Sequence, residues 1–147
     1  MKKLLLLAMI CVAGVACKKD GAGTAPVISF ASYDPNAYFM ADSVNTAALN
    51  VTFNISDSDG DIEDTISLRA HYKSFDDNVW LVRMMPDIGS NKGHSVKGQV
   101  TVALGAIDLT NINENSLKDS IWFSAFVVDN AGHHSDTVLT PKIPIIK

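Results

Sequence analysis

The chain has 147 residues, 47% of them hydrophobic and 19% charged, with sixteen acidic against twelve basic side chains and a net charge of −4. An acidic surface is repelled by phosphate backbones and anionic headgroups, which argues against nucleic acid as a partner and against membrane attachment through a basic patch. The only cysteines, Cys11 and Cys17, lie in the first seventeen residues, so the rest must fold without a disulfide.

Lys2 and Lys3 precede an apolar run over residues 4–16. The run is too short to span a bilayer, and its layout is that of a secretory signal peptide over 1–16. Gly14-Val15-Ala16-Cys17 resembles the lipobox of bacterial lipoproteins, with Gly14 where that family usually has an aliphatic residue. The resemblance implies that Cys17 is lipidated and becomes the mature N-terminus; ordinary cleavage after Ala16 with a free Cys17 is the alternative. Under the first reading Cys11 leaves with the signal, and 131 residues remain with ten basic and sixteen acidic side chains, a net charge near −6. That length suits one domain burying roughly two-thirds of its unfolded surface. Residues 17–25 form a polar tether, and the eight after Cys17 reach at most about 25–30 Å. In lipoproteins of Gram-negative bacteria a lysine after the cysteine is compatible with the outer membrane. Lys18-Lys19-Asp20 is similar to the charged starts that send some of them to the cell surface.

From Pro26 onward the chain reads as strands. Residues 27–31 are a short apolar run, and 33–46 are irregular around an Asp34-Pro35-Asn36 turn. Leu49, Val51, Phe53 and Ile55 alternate with polar residues, and Ile66, Leu68, Ala70 and Tyr72 do the same. A period of two is what a strand with one buried face requires. Asp76-Asp77-Asn78 turns the chain into a strand over 79–85, and 86–94 is a loop rich in Gly, Asn and Ser. Val96, Gly98, Val100, Val102 and Leu104 alternate again. Residues 105–119 are the longest irregular stretch, with a helical turn expected around 114–117. Residues 121–128 are apolar on both faces, as in a central strand, and Asp129-Asn130-Ala131-Gly132 leads into a last strand over 135–146. Pro141 and Pro144 cannot donate ladder hydrogen bonds, so that strand is expected at an edge or bending away. About seven short strands at this spacing predict an all-β fold, an antiparallel β-sandwich over 26–147.

Five carboxylates, Asp57, Asp59, Asp61, Glu63 and Asp64, fall within eight residues between two of these strands. Counting chain reversals puts this turn, the 86–94 loop and the 129–135 turn at one end of the sandwich, beside the start of the first strand. Asp129 is thereby expected near Asp57, Asp59 and Asp61. Oxygen ligands converging from two loops suit Ca2+, which takes about six to eight in flexible geometry, better than Mg2+. Gly60 would supply the positive φ of a tight turn. The spacing is not that of an EF-hand, because Gly60 is fourth from Asp57 rather than sixth and the twelfth position is Leu68 rather than glutamate. A solvated acidic turn, with Asp and Gly serving only its geometry, is the bland alternative. The acidic turn and Val127-Val128-Asp129-Asn130-Ala131-Gly132-His133-His134-Ser135 together resemble immunoglobulin-like and cadherin-like modules, with His133 where asparagine is usual. The resemblance implies an Ig-like (cadherin-like) sandwich lacking the antibody-type Cys–Trp–Cys core.

His133 and His134 are adjacent, and adjacent residues of extended chain point to opposite faces, so they are not expected to share a transition metal. His71 is expected to face solvent, and Trp122, in a two-sided strand, to lie in the core. Ser90 sits in no nucleophile elbow, and neither a catalytic site nor enzyme activity is expected. Trp80, Trp122, Tyr33, Tyr38 and Tyr72 are the side chains available for stacking on a sugar. The residues therefore point to a lipid-anchored β-sandwich of the cell envelope, a structural or protein-interaction module with Ca2+ at one loop end. Its partners would be the membrane, through the anchor, and envelope proteins or glycans. A small surface glycan-binding lipoprotein is the alternative, and it requires two exposed, coplanar aromatics.

Overall fold

A computed structural model describes residues 23–35, 39–40, 49–73, 79–105, 108–109 and 120–146. The signal peptide, Cys17, the tether up to residue 22, Tyr38, the 76–78 turn and the expected helical turn at 114–117 lie outside the described residues. Among the described residues nine strands form: β1 (Val27–Asp34), β2 (Phe39–Met40), β3 (Leu49–Asp57), β4 (Thr65–Tyr72), β5 (Leu81–Met84), β6 (Val96–Leu104), β7 (Ser120–Val128), β8 (Val138–Leu139) and β9 (Ile143–Ile146). One 3-10 turn, Gly89–Asn91, interrupts the loop before β6.

The strands make two sheets, one ordered β1-β3-β6 and a larger one ordered β2-β9-β7-β4-β5 with β8 also paired to β7. All pairings are antiparallel except β2 with β9. The chain is an all-β sandwich. Its core follows from the period of two. Leu49, Val51 and Phe53 of β3, together with Ile121, Ala125 and Val127 of β7, have no accessible surface, and Ile66 and Leu68 of β4 have almost none. Burying each of the larger of these side chains contributes about 1.5–3 kcal/mol, and a one-residue slip of any of these strands would turn its whole set outward. Aromatic contacts join the layers, with Tyr33 of β1 6.4 Å from Phe123 of β7. The Tyr33 hydroxyl donates to the Pro141 carbonyl at 2.8 Å, and burial pushes its pKa up to about 12.

Several elements differ from the sequence expectation. The first strand runs on to Asp34, with an irregularity between Phe30 and Ser32. The strand expected over 79–85 is only Leu81–Met84. The last strand is broken into β8 and β9 around Pro141, and β9 is not an edge, because β2 joins it in parallel at Phe39↔Ile145. Pro144 is accommodated because that pairing begins one residue later, where an N–H is again present. His71 does not face solvent: it is 7% exposed, with Nε2 2.7 Å from the Ser124 Oγ and its ring stacked 5.6 Å from Trp122. Trp122 in turn lies half-buried on the outer face of its sheet rather than in the core.

Candidate metal centre

The alternation that builds the core also builds the site. In β3 the inward phase runs Leu49, Val51, Phe53, Ile55 and then Asp57, which is 4% exposed. In β7 it runs Ile121, Phe123, Ala125, Val127 and then, one residue past the strand, Asp129, 1% exposed. Two core stripes, one from each sheet, thus end in a carboxylate at the same pole. The Asn130 amide donates to the Asp61 carbonyl at 2.8 Å, which ties the two turns together.

The turn after β3 closes on itself, the Asp61 amide donating to Asp57 Oδ2 at 3.0 Å. Gly60 follows with φ +68°, and a Cβ there would overlap the His94 carbonyl oxygen and stand 2.7 Å from the His94 nitrogen. The Gly60 carbonyl accepts from the Gly93 amide at 3.0 Å, so the 86–94 loop is laced to the acidic turn. Glu63 belongs to that lacing. Its Oε1 accepts from the Ile88 amide at 2.7 Å and its Oε2 pairs with Lys92 at 2.7 Å. The segment before β1 arrives at the same place. The Thr24 amide donates to Asp59 Oδ2 at 3.0 Å, Thr24 Oγ1 hydrogen-bonds Ser58 Oγ, and a Cβ on Gly23 would stand 2.9 Å from His133 Cε1.

What remains is three oxygens without partners. Asp57, Asp59 and Asp61 each offer a carboxylate oxygen, all within 4.8 Å of one another. Asp57 Oδ1, Asp59 Oδ1 and Asp61 Oδ1 are shielded from solvent and accept no hydrogen bond. A shielded acceptor left unpaired costs about 1–3 kcal/mol, more when charged. Oxygens bound to one Ca2+ at about 2.3–2.6 Å lie no more than about 5 Å apart, so the spacing matches a shared cation. This cluster could hold a metal ion.

Burial pushes the Asp61 carboxyl up to about 6, helped by the charges of Asp129, Asp59 and Asp57. Desolvation also acts on Asp59, but hydrogen bonding, led by the Thr24 amide, outweighs it and holds its carboxyl low. The sign for Asp61 is that of a raised acid. Between about pH 4 and 6 the folded chain holds a proton that the unfolded chain has released, so this group's contribution to stability falls as pH rises through that window. A bound cation must displace that proton. The difference in Tm between calcium and chelator is therefore expected to widen from pH 4.5 to pH 6.5, measured by calorimetry; a constant difference would remove Asp61 from the site.

Asp129 sits at this pole as expected, but both of its oxygens are engaged by His133, Oδ1 by the amide at 2.8 Å and Oδ2 by Nδ1 at 2.9 Å. It raises Asp61 through space and is not one of the three clustered carboxylates. The role of His133 went unread in the sequence, although its position four residues after Asp129 across Gly132 is the available signal. Thr24 and the His71–Ser124 pair carried no local signal, because their partners are 35 and 53 residues away. No family model, curated protein or solved structure matches the chain.

Proposed function

We propose that the protein is a lipid-anchored β-sandwich of the bacterial cell envelope that serves as a structural or protein-interaction module, with Ca2+ clamping the loop pole nearest its tether. The observation that carries the ion is the set of three shielded, unpaired oxygens of Asp57, Asp59 and Asp61. Asp129 adds a fourth negative charge and the lone pairs that His133 leaves free. Ca2+ suits the donors because it tolerates irregular oxygen geometry, whereas Mg2+ demands a near-ideal octahedron. The anchor and the envelope location rest on Gly14-Val15-Ala16-Cys17 and the apolar run before it.

Neutralising these carboxylates stabilises three loops and the start of β1 together, because the Thr24 amide, the Asn130 amide and the Gly93 amide all bond to the acidic turn. Calorimetric melting tests this. Calcium at one hundred times its Kd is expected to add about 2.7 kcal/mol. In a domain of this size that raises Tm by about 10 °C, and chelator reverses the change. An unchanged midpoint would remove the ion.

A further inference from the structure

We propose that the outer face of the larger sheet, formed by β4, β5, β7 and β8, is a docking surface for an acidic, apolar segment of a partner protein. This rests on the interaction-module half of the function proposed above and is independent of the ion.

Register defines the face. Ser67 pairs with Val82 and with Phe126, Arg69 with Ser124, His71 with Trp122, and Ser124 with Leu139. Those positions point away from the core, since the core side chains of β4 and β7 alternate with them. Trp80, just before β5, belongs to the same face through its contacts with Arg69 and Phe126. Trp80, Val82, Met84 and Leu139 are 38%, 52%, 74% and 64% exposed, and they are four of the six exposed large hydrophobics among the described residues. Exposed apolar side chains gathered on one sheet face mark a contact surface rather than the scattered apolar residues of an ordinary exterior.

Charge selects the occupant. In a chain with an excess of acids, the outward strand positions of β4, β5, β7 and β8 hold no carboxylate. They hold Arg69, whose guanidinium lies 5.3 Å from the Trp80 ring centre, and beside them Lys142 lies 4.2 Å from that of Trp122. Neither cation has an acidic partner among the described residues, and the Arg69 Nε is shielded without an acceptor. A sugar would need a bare aromatic plane. Here Arg69 lies over the Trp80 ring and Phe126 meets it at 68°, while His71 and Lys142 both lie against Trp122. A second copy laid face to face would bring these cations against themselves. An apolar segment carrying carboxylates satisfies both features, because a stacked guanidinium still offers its N–H edge for paired hydrogen bonds. Trp, Met and Arg are also the side chains enriched at the centres of protein interfaces.

Both tryptophans of the chain contact this face, so their two indole N–H resonances report on it directly. The full chain is titrated, in calcium and in chelator, with an acetylated and amidated hexapeptide of alternating aspartate and leucine. Its charge-reversed lysine counterpart, phosphatidylcholine/phosphatidylglycerol vesicles and cellohexaose are titrated in parallel. The acidic peptide is expected to shift both indole signals saturably in either condition, and at least about tenfold more tightly than the basic one. Arg69→Gln and the exposed Lys142→Gln are each expected to weaken it about three- to tenfold, the latter with Tm unchanged. Equal response to both peptides, no response, indifference to both substitutions, or response only to vesicles or to the glycan would overturn the proposal. A flat Tm on adding calcium would overturn the ion alone and leave this titration readable.

Discussion

Gly60→Ala is expected to lower the unfolding free energy by about 3–5 kcal/mol, the sum of a left-handed backbone forced on a Cβ-bearing residue and a steric overlap. The overlap is the larger part, since the new Cβ would meet the carbonyl and nitrogen of His94 and stand 2.8 Å from the Asn91 carbonyl. All three are backbone atoms of a loop held to Gly60 by the Gly93 amide, so neither side can yield without breaking that bond. Gly132→Ala is the matched control. Its φ is +87°, yet nothing lies within 4 Å of the added Cβ, so only the backbone strain of about 1–3 kcal/mol applies. Urea denaturation of the two variants measures the difference. Equal losses would mean that the two loops do not bear on each other.

Asp57→Asn is expected to act with opposite signs in the two ionic conditions. In chelator it removes one of three like charges within 4.8 Å, and its amide can donate toward Asp59 or Asp61, so stability rises by about 1–2 kcal/mol. The asparagine carbonyl still accepts from the Asp61 amide, so the turn keeps its shape. In saturating calcium the variant lacks a charged ligand and loses the increment that the wild type gains. The melting temperatures of the two proteins therefore cross as calcium is added. If the variant responds to calcium as the wild type does, the acidic turn is not where calcium acts.

The sandwich was legible in the sequence wherever a strand has one wet and one dry face. In β3 and β4 the apolar positions fall two apart, and the structure buries each of them. The shared pole was legible too, because reversals can be counted. Following the same period two residues further would have shown that Asp57 and Asp129 continue the inward stripes, which is why these two are the most deeply buried acids among the described residues. What periodicity cannot supply is neighbours across a sheet. It assigns His71 to the outer phase correctly but not to a place beneath Trp122 and beside Ser124, which only the register of β4 on β7 determines. The two-sided apolar character of β7 reads as a central strand, and it is one, yet its outer side is an aromatic cluster and not core. The parallel pairing of β2 rests on two residues, too short a stretch to carry any period.

The direction of β1 and β9 has a mechanical consequence. β1 begins at the acidic pole, where Val27 pairs with Ser56, and β9 ends at the far pole, beyond Pro144 paired with Ser120. A pull between these two points runs along the strands, across a body about 30 Å long. The hydrogen bonds joining β1 to β3 lie perpendicular to that axis, so the ladder is loaded in shear and its bonds share the force instead of opening one at a time. A sandwich loaded this way would resist extension far better than one tugged sideways at the β5 edge.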